Sequence, residues 1–356
     1  MKEIHNKKIL IFGGSGSLGV HLINKFCVKN NILVYSRDEA KHWALKNKLK
    51  NQNVNFIVGD IRDKNRISQC ILRYNPHIII IASALKHVDI CEMSPSESLL
   101  TNTIGPQNIA DLAEELGNLD GSDLESVLMV STDKACAPIN VYGACKNLAE
   151  KIVLEKSRHS NKVKFLAVRY GNVLESRGSI LPLFHYQGMH EDFIKVTRSD
   201  MTRFVMTLPE SVELINRTLI NAKTGELFIP KLKSMRIIDL ASIFSDIYKK
   251  PIKETGLRAG EKIHESLINE TESLRQTEGK EDYIIKPVFE NVIYNEEPID
   301  YNSGLKESLI TKAELFNFLD SLKMLNKNID RFEEAESGKY PLIRKTSLKE
   351  IDKMTK

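Results

Sequence analysis

Lys8-Ile9-Leu10-Ile11-Phe12-Gly13-Gly14-Ser15-Gly16-Ser17-Leu18-Gly19 is an apolar run that breaks into a GxxGxxG loop. The apolar part predicts a strand buried on both faces. The glycines predict a tight turn whose backbone can approach a pyrophosphate. The stretch after them, 18–29, predicts a helix whose N-terminus favours that negative charge. A glycine motif by itself says little. A strand before it and a helix after it make Gly13, Ser15, Gly16, Ser17, Leu18 and Gly19 candidates for holding a dinucleotide.

Working outward, the next 150 residues repeat the alternation. Nearly continuous Ile, Val and Leu runs predict further strands at 32–35, 54–58, 78–82, 127–131 and 164–168. Amphipathic stretches predict helices at 39–49, 65–74, 95–116 and 143–157. This order predicts an α/β, Rossmann-type, doubly wound parallel sheet. After residue 170 the pattern loosens. Three parts are expected: a dinucleotide-binding domain over 1–170, a smaller and mainly substrate-binding lobe over 171–323, and a C-terminal tail over 324–356. Thr311-Lys312-Ala313-Glu314 has capping-box spacing and opens a helix to about residue 323.

Composition sets the limits. The chain has 356 residues, 42% hydrophobic and 28% charged, as expected of a globular protein rather than a disordered one. Its net charge of +4 is too small and too scattered to argue for nucleic acid. The longest apolar stretch, 78–85, falls far short of the roughly 20 residues of a membrane span. No signal peptide is visible at the start. Cys27, Cys70, Cys91, Cys136 and Cys145 form no CxxC pair and read as reduced thiols in a cytoplasmic compartment. Lys86-His87 has no partner at metal spacing, and no metal site is expected.

The end of the second strand bears on the cofactor. An NAD site usually has an acid there for the ribose hydroxyls. Here Ser36 and Arg37 offer a hydroxyl and a guanidinium, which suit the 2′-phosphate of NADP, although Asp38 follows at once. At the end of the third strand, Asp60 could bond an adenine amino group while Ile61 covers the ring. Asp60 could equally cap the next helix.

Tyr142 and Lys146 are four residues apart and share one face of a predicted helix. The fifth strand ends at Ser131-Thr132-Asp133-Lys134, where open sheets present their chemistry. An ammonium beside a tyrosine lowers its pKa towards that of a useful base. Lys146 is expected to do this and to hold the nicotinamide ribose, while Thr132 orients a substrate hydroxyl. Asp133 and Lys134 add a second acid/base couple, which dehydration needs and a simple reductase or epimerase does not. Burial and nearby Lys146 are expected to free Lys134 of its proton, and desolvation to keep one on Asp133.

These motifs together resemble the extended short-chain dehydrogenase/reductase superfamily. Within it they resemble the soluble, inverting UDP-N-acetylglucosamine 4,6-dehydratases of the pseudaminic-acid type, over about 7–320. Also shared are Ala84-Leu85-Lys86-His87-Val88, Val168-Arg169-Tyr170-Gly171-Asn172-Val173, Met201-Thr202-Arg203-Phe204 and Gly256-Leu257-Arg258-Ala259-Gly260-Glu261-Lys262. The resemblance implies oxidation at sugar carbon 4, proton removal at carbon 5 by Lys134, loss of the carbon-6 hydroxyl assisted by Asp133, and inversion at carbon 5. It implies a recycled, tightly held NADP, with Ala82, Ala84 and Lys86 joining its site. It also implies contacts from Lys86, Asn172, Thr197, Arg258 and Glu261 to a UDP-sugar, with Arg177 and Arg203 added. A cytoplasmic homo-oligomer, dimer or hexamer, is the expected state. Ser83, Cys136 and Asp200 depart from the pattern, and Asp200 bears on the sugar pocket. The competing readings are a retaining dehydratase, whose large relatives carry an N-terminal membrane region, a nucleotide-sugar 4-epimerase or 4-keto reductase, and a non-catalytic NADP-binding sensor.

Overall fold

The computed structural model describes residues 3–174, 176, 178–290 and 297–326. Its first half contains strands β1 (Lys8–Phe12), β2 (Asn31–Ser36), β3 (Val54–Val58), β4 (Ile78–Ile81), β5 (Ser126–Val130) and β6 (Lys164–Val168). Helices α1 (Ser17–Phe26), α2 (Glu39–Leu49) and α3 (Lys64–Tyr74) link the first four. The strands pair in parallel in the order β3-β2-β1-β4-β5-β6. The order reverses between β1 and β4, which opens a crevice at the C-terminal ends of those two strands. All four residues of β4 and all five of β5 are buried, which is why these strands read as unbroken apolar runs.

The sheet does not stop at β6. Leu227–Pro230 adds in parallel to β6, and Asp282–Ile285 and Gln276–Glu278 add antiparallel beyond it, giving nine strands. These late strands are only three or four residues long, too short for periodicity to reveal. A second core, with Leu181, Phe184, Leu240, Phe244, Leu315 and Phe318 among its members, lies under helices Ile180–His190, Ile237–Tyr248 and Lys312–Ser321. Thr311 and Glu314 form the expected capping box. Met324 and Leu325 pack into this core. The rest of the expected tail, 327–356, lies outside the described residues. No helix among the described residues is long and apolar enough to cross a membrane.

The long helix expected at 95–116 is segmented. Pro95 opens a short helix, Leu100–Ile104 is π-helical, and Gly105–Gly117 resumes the α-form. Pro106 has no N–H to give the preceding turn. Asn102, in the π segment, instead uses its side chain on the backbone of Leu85: Leu85 N donates to Oδ1 at 2.8 Å, and Nδ2 donates to Leu85 O at 2.9 Å. The segmentation thus fixes the loop that follows β4.

One buried ionic cluster joins distant parts of the chain. Arg169, just past β6, donates to both carboxylate oxygens of Glu150 at 2.9 Å and to those of Glu272 at 2.7 and 2.8 Å. Its remaining contact is the carbonyl of Leu267, at 2.9 Å.

Candidate active site

Three adjoining cavities run across the C-terminal edge of the sheet, of about 290, 490 and 530 Å³. The smallest lies over β1–β3 and takes in Ser15, Ser36, Arg37, Ile61, Ala82 and Ala84. Gly13 turns beneath it at φ +82°, where a Cβ would sit 2.6 Å from the backbone nitrogen of Ser83. Only glycine brings the two strand ends this close. Ser15 and Ser36 share a hydrogen bond of 2.9 Å. Arg37 is half exposed at the mouth, 3.8 Å from Asp60. Asp38 accepts from Lys41 N at 3.0 Å and caps α2, so its carboxylate is engaged by its own helix.

Asp60 is differently occupied from either expectation. Its carboxylate takes three donors from Arg62, at 2.9, 3.0 and 2.7 Å. These bonds, chiefly the side-chain ones, hold it below the usual carboxylate range despite partial burial. It does not cap α3; Asp63 does, accepting from Arg66 N. Asp60 therefore stands behind Arg37, and Ile61 alone of the pair faces the cavity.

The middle cavity meets Gly13, Gly16, Ser17, Leu18 and Gly19 at one end and Thr132, Asp133, Lys134, Tyr142 and Lys146 at the other. β5 delivers Thr132 and a single 3₁₀ turn, Asp133–Ala135. The helix Val141–Glu155 starts two residues earlier than expected because Asn140 caps it, accepting from Gly143 N at 2.7 Å. Gly143 lets this helix press onto the turn: a Cβ there would lie 2.1 Å from the carbonyl oxygen of Lys134.

The polar atoms form one chain. The Tyr142 hydroxyl is hydrogen-bonded to Thr132. Thr132 Oγ1 donates to Asp133 Oδ1 at 2.9 Å, and Lys134 Nζ donates to the same oxygen at 3.1 Å. Lys134 Nζ also lies 3.3 Å from Glu265 Oε1. Asp133 Oδ2 is buried without a hydrogen bond.

Two electrostatic expectations are overturned. Burial does pull the Lys134 pKa down, but Asp133 and Glu265 outweigh it and hold the ammonium above its ordinary value. Tyr142 is pushed up to about 12 by burial; among its neighbours, the ammonium that opposes this is Lys134. Lys146 donates to the carbonyl of Val130 at 2.6 Å, and burial pulls its pKa down to about 8 against the attraction of Glu150.

The largest cavity continues past Lys134 and collects Lys86, Asn172, Thr197, Arg203, Arg258 and Glu261 from separate segments. Arg177 lies outside the described residues. Asn172 Oδ1 is buried with no hydrogen bond. Arg258 pairs with Glu261, and Lys86 reaches Ser176 Oγ at 3.4 Å. Arg203 is committed elsewhere: its terminal nitrogens donate to the carbonyls of Thr202, Lys262 and Ile263 at 2.6, 3.0 and 3.0 Å. It braces the 262–263 backbone from inside. Asp200 is exposed and bound to Arg198 at 2.9 Å, turned into its own loop. Glu265, in the same cavity, escapes a sequence reading, because a lone acid before a three-residue strand carries no pattern.

A 3-2-1-4-5-6 Rossmann sheet with Thr132, Tyr142 and Lys146 at the end of β5 defines the class: an extended short-chain dehydrogenase/reductase fold. More narrowly, the chain belongs to the polysaccharide biosynthesis protein family, whose model matches residues 9–287. It is 35% identical over 291 residues to the inverting UDP-N-acetylglucosamine 4,6-dehydratase of Campylobacter jejuni subsp. jejuni serotype O:23/36, covering 80% of this chain and 84% of that one. It is 33% identical over 293 residues to a protein of Rickettsia canadensis named UDP-glucose 4-epimerase, covering 80% and 83%. The crystal structure of Pen from Bacillus thuringiensis superposes with a TM-score of 0.82 at 31% identity, over 90% of this chain and 99% of that one.

Proposed function

We propose that this chain is a nucleotide-sugar 4,6-dehydratase that acts on UDP-N-acetylglucosamine, inverts carbon 5 and holds NADP. The observation that carries the reading is the continuous polar chain from Tyr142 through Thr132 and Asp133 to Lys134. It sets an acid/base couple directly beside the alcohol-handling pair, which removal of water next to a ketone requires.

The glycine cradle and the Ser36–Arg37 end of β2 fit a dinucleotide with a 2′-phosphate, and Lys146 is placed to hold its ribose. When bound, the nicotinamide supplies a site that accepts and returns hydride. Every proton is the protein's concern. Tyr142, with Thr132 in contact, takes the carbon-4 hydroxyl proton. Asp133 serves the departing carbon-6 hydroxyl. Lys134, an ammonium in the resting protein, passes its proton to Asp133, which it contacts at 3.1 Å, and then takes the one at carbon 5. The C–H electron pair moves into the carbon-4 carbonyl as an enolate, whose collapse expels the carbon-6 oxygen as water with the proton that Asp133 returns. Asn172, with an unpaired buried oxygen, and Arg258 are placed for the UDP-sugar beyond.

The relatives named UDP-glucose 4-epimerase sustain a second reading, in which the sugar keeps its water. Incubation with UDP-N-acetylglucosamine in heavy water, read by NMR, separates the two. Dehydration yields a 4-keto-6-deoxy sugar with deuterium at an inverted carbon 5. A 4-epimer with its carbon-6 hydroxyl intact would refute the proposal.

A further inference from the structure

We infer that Glu265 is a positioning residue for this reaction: its carboxylate, opposite that of Asp133, holds Lys134 Nζ between the two larger cavities and governs when that nitrogen releases its proton. The inference rests on the dehydratase reading and extends it to a residue outside the alcohol-handling constellation.

The geometry is specific. Glu265 stands immediately before the strand Ser266–Ile268, more than a hundred residues from Lys134 in sequence, and is 2% exposed. Lys134 Nζ lies 3.1 Å from Asp133 Oδ1 and 3.3 Å from Glu265 Oε1. Lys134 lines both cavities, Asp133 the cofactor-side one and Glu265 the substrate-side one. One ammonium therefore bridges two carboxylates at the junction. Glu265 Oε2 is buried with no hydrogen bond, 3.9 Å from Lys262 Nζ, and Arg203 Nε lies 3.9 Å from Oε1. The backbone is built to present this side chain: Glu265 N donates to Ser303 Oγ at 3.0 Å, and Arg203 pins the carbonyls of 262 and 263.

Buried charges require compensation, and here the compensating acid is placed where substrate would bind. The groups facing Lys134 are Asp133 on its own turn, Glu265 beside the strand Ser266–Ile268, Arg203 from the strand Thr202–Met206 and Tyr142 from the helix beyond. Of these, the two carboxylates raise the Lys134 pKa and Arg203 lowers it. Replacing Glu265 by a neutral isostere leaves Asp133 as the one carboxylate, so proton release from Nζ moves to lower pH.

The test is the pH dependence of deuterium entry at carbon 5 in single turnovers with UDP-N-acetylglucosamine. The hydride step is followed separately by near-ultraviolet absorbance. In the wild type the carbon-5 rate should climb steadily from pH 6 to 10. In Glu265→Gln the acidic limb should be displaced to lower pH by about 1 unit or more, so that the rate at any given pH on that limb is higher than in the wild type. Glu265→Asp should bring the limb back towards its wild-type position, at a reduced rate. Retained NADP binding and an unchanged thermal midpoint check that each variant is folded. An unmoved limb in Glu265→Gln, or an equal displacement of the hydride step, would overturn the inference while leaving the dehydratase reading intact. Wild-type protein that forms no 4-keto-6-deoxy sugar would instead overturn the reading on which the inference rests. Should Glu265→Gln fail to fold, Ser303→Ala, which removes the hydroxyl that accepts from Glu265 N and is shared with Thr202 Oγ1, should displace the limb in the same direction by a smaller amount; no displacement overturns the inference.

Discussion

Lys146 Nζ is bonded to the carbonyl oxygen of Val130 at 2.6 Å, and this contact ties the helix Val141–Glu155 to the end of β5. The lysine is 2% exposed and sits with its pKa pulled down to about 8, mostly by burial. In the unfolded chain it titrates at about 10.5. Between those values the unfolded state binds more protons than the folded one, so stability rises with pH across that window.

Lys146→Met should erase this rise. In urea unfolding of the protein without cofactor, wild type should gain stability relative to the variant from about pH 8 to about pH 10, on the order of 2–3 kcal/mol in total. Parallel stability profiles would show that Lys146 keeps its ammonium in the folded protein up to about pH 10.

Lys134→Ala should separate oxidation from elimination. Tyr142, Thr132 and Lys146 remain, so reduced cofactor should form in a single turnover with UDP-N-acetylglucosamine, while water loss slows by about 10²–10⁴. Tyr142→Phe should instead block the first step and show no absorbance change. Dehydration by Lys134→Ala at the wild-type rate would remove Lys134 from the mechanism.

Arg37→Ala should weaken NADP binding by about 1.5–3 kcal/mol, the range for hydrogen bonds to charged groups. NAD binding should barely change, because Asp60 keeps its three closer bonds to Arg62 when Arg37 is lost. Titration calorimetry with both cofactors decides it, and equal losses would show that Arg37 does not read the 2′-phosphate.

Arg169→Met should destabilise the fold by about 3–5 kcal/mol at neutral pH, since it leaves Glu150 and Glu272 buried and unpaired. Glu272 is buried, which alone would raise its pKa, yet Arg169 holds it below the ordinary carboxylate value. Its contribution is therefore present above about pH 4.5 and is lost as pH falls through the lowered value. Wild type and variant should converge in acid, as read by urea midpoints from pH 7 to 3.

What could be read in the sequence follows from how each signal is stored. β1, β4 and β6 carry near-unbroken apolar runs, and the glycine loop carries spacing, so both are local and readable. Tyr142 and Lys146 sit on one helix, and their shared face follows from a spacing of four. The charge state of Lys134 is different in kind. It depends on Glu265, which the chain brings in from another segment, and no local pattern encodes that meeting. The same holds for Arg203, whose guanidinium reads as a phosphate ligand until the carbonyls of 202, 262 and 263 are seen around it. The short strands after residue 226 were hidden because three or four residues cannot show a period.

The Arg169 cluster also restricts how the molecule can breathe. Glu150 lies on the helix that carries Tyr142 and Lys146, and Glu272 on the short helix Glu270–Ser273, just after the strand that follows Glu265. Pulling the segment 265–273 away from the sheet would strand a guanidinium or a carboxylate in the interior, a high-energy route. The tip around Arg258, whose side chain is 66% exposed, offers a low-energy one. Substrate entry is thus expected to work as a local gate at 257–259, between the anchored backbone of Gly256 and Gly260, rather than a hinge. Hydrogen exchange should report UDP-sugar binding there while the amides of 164–169 stay silent.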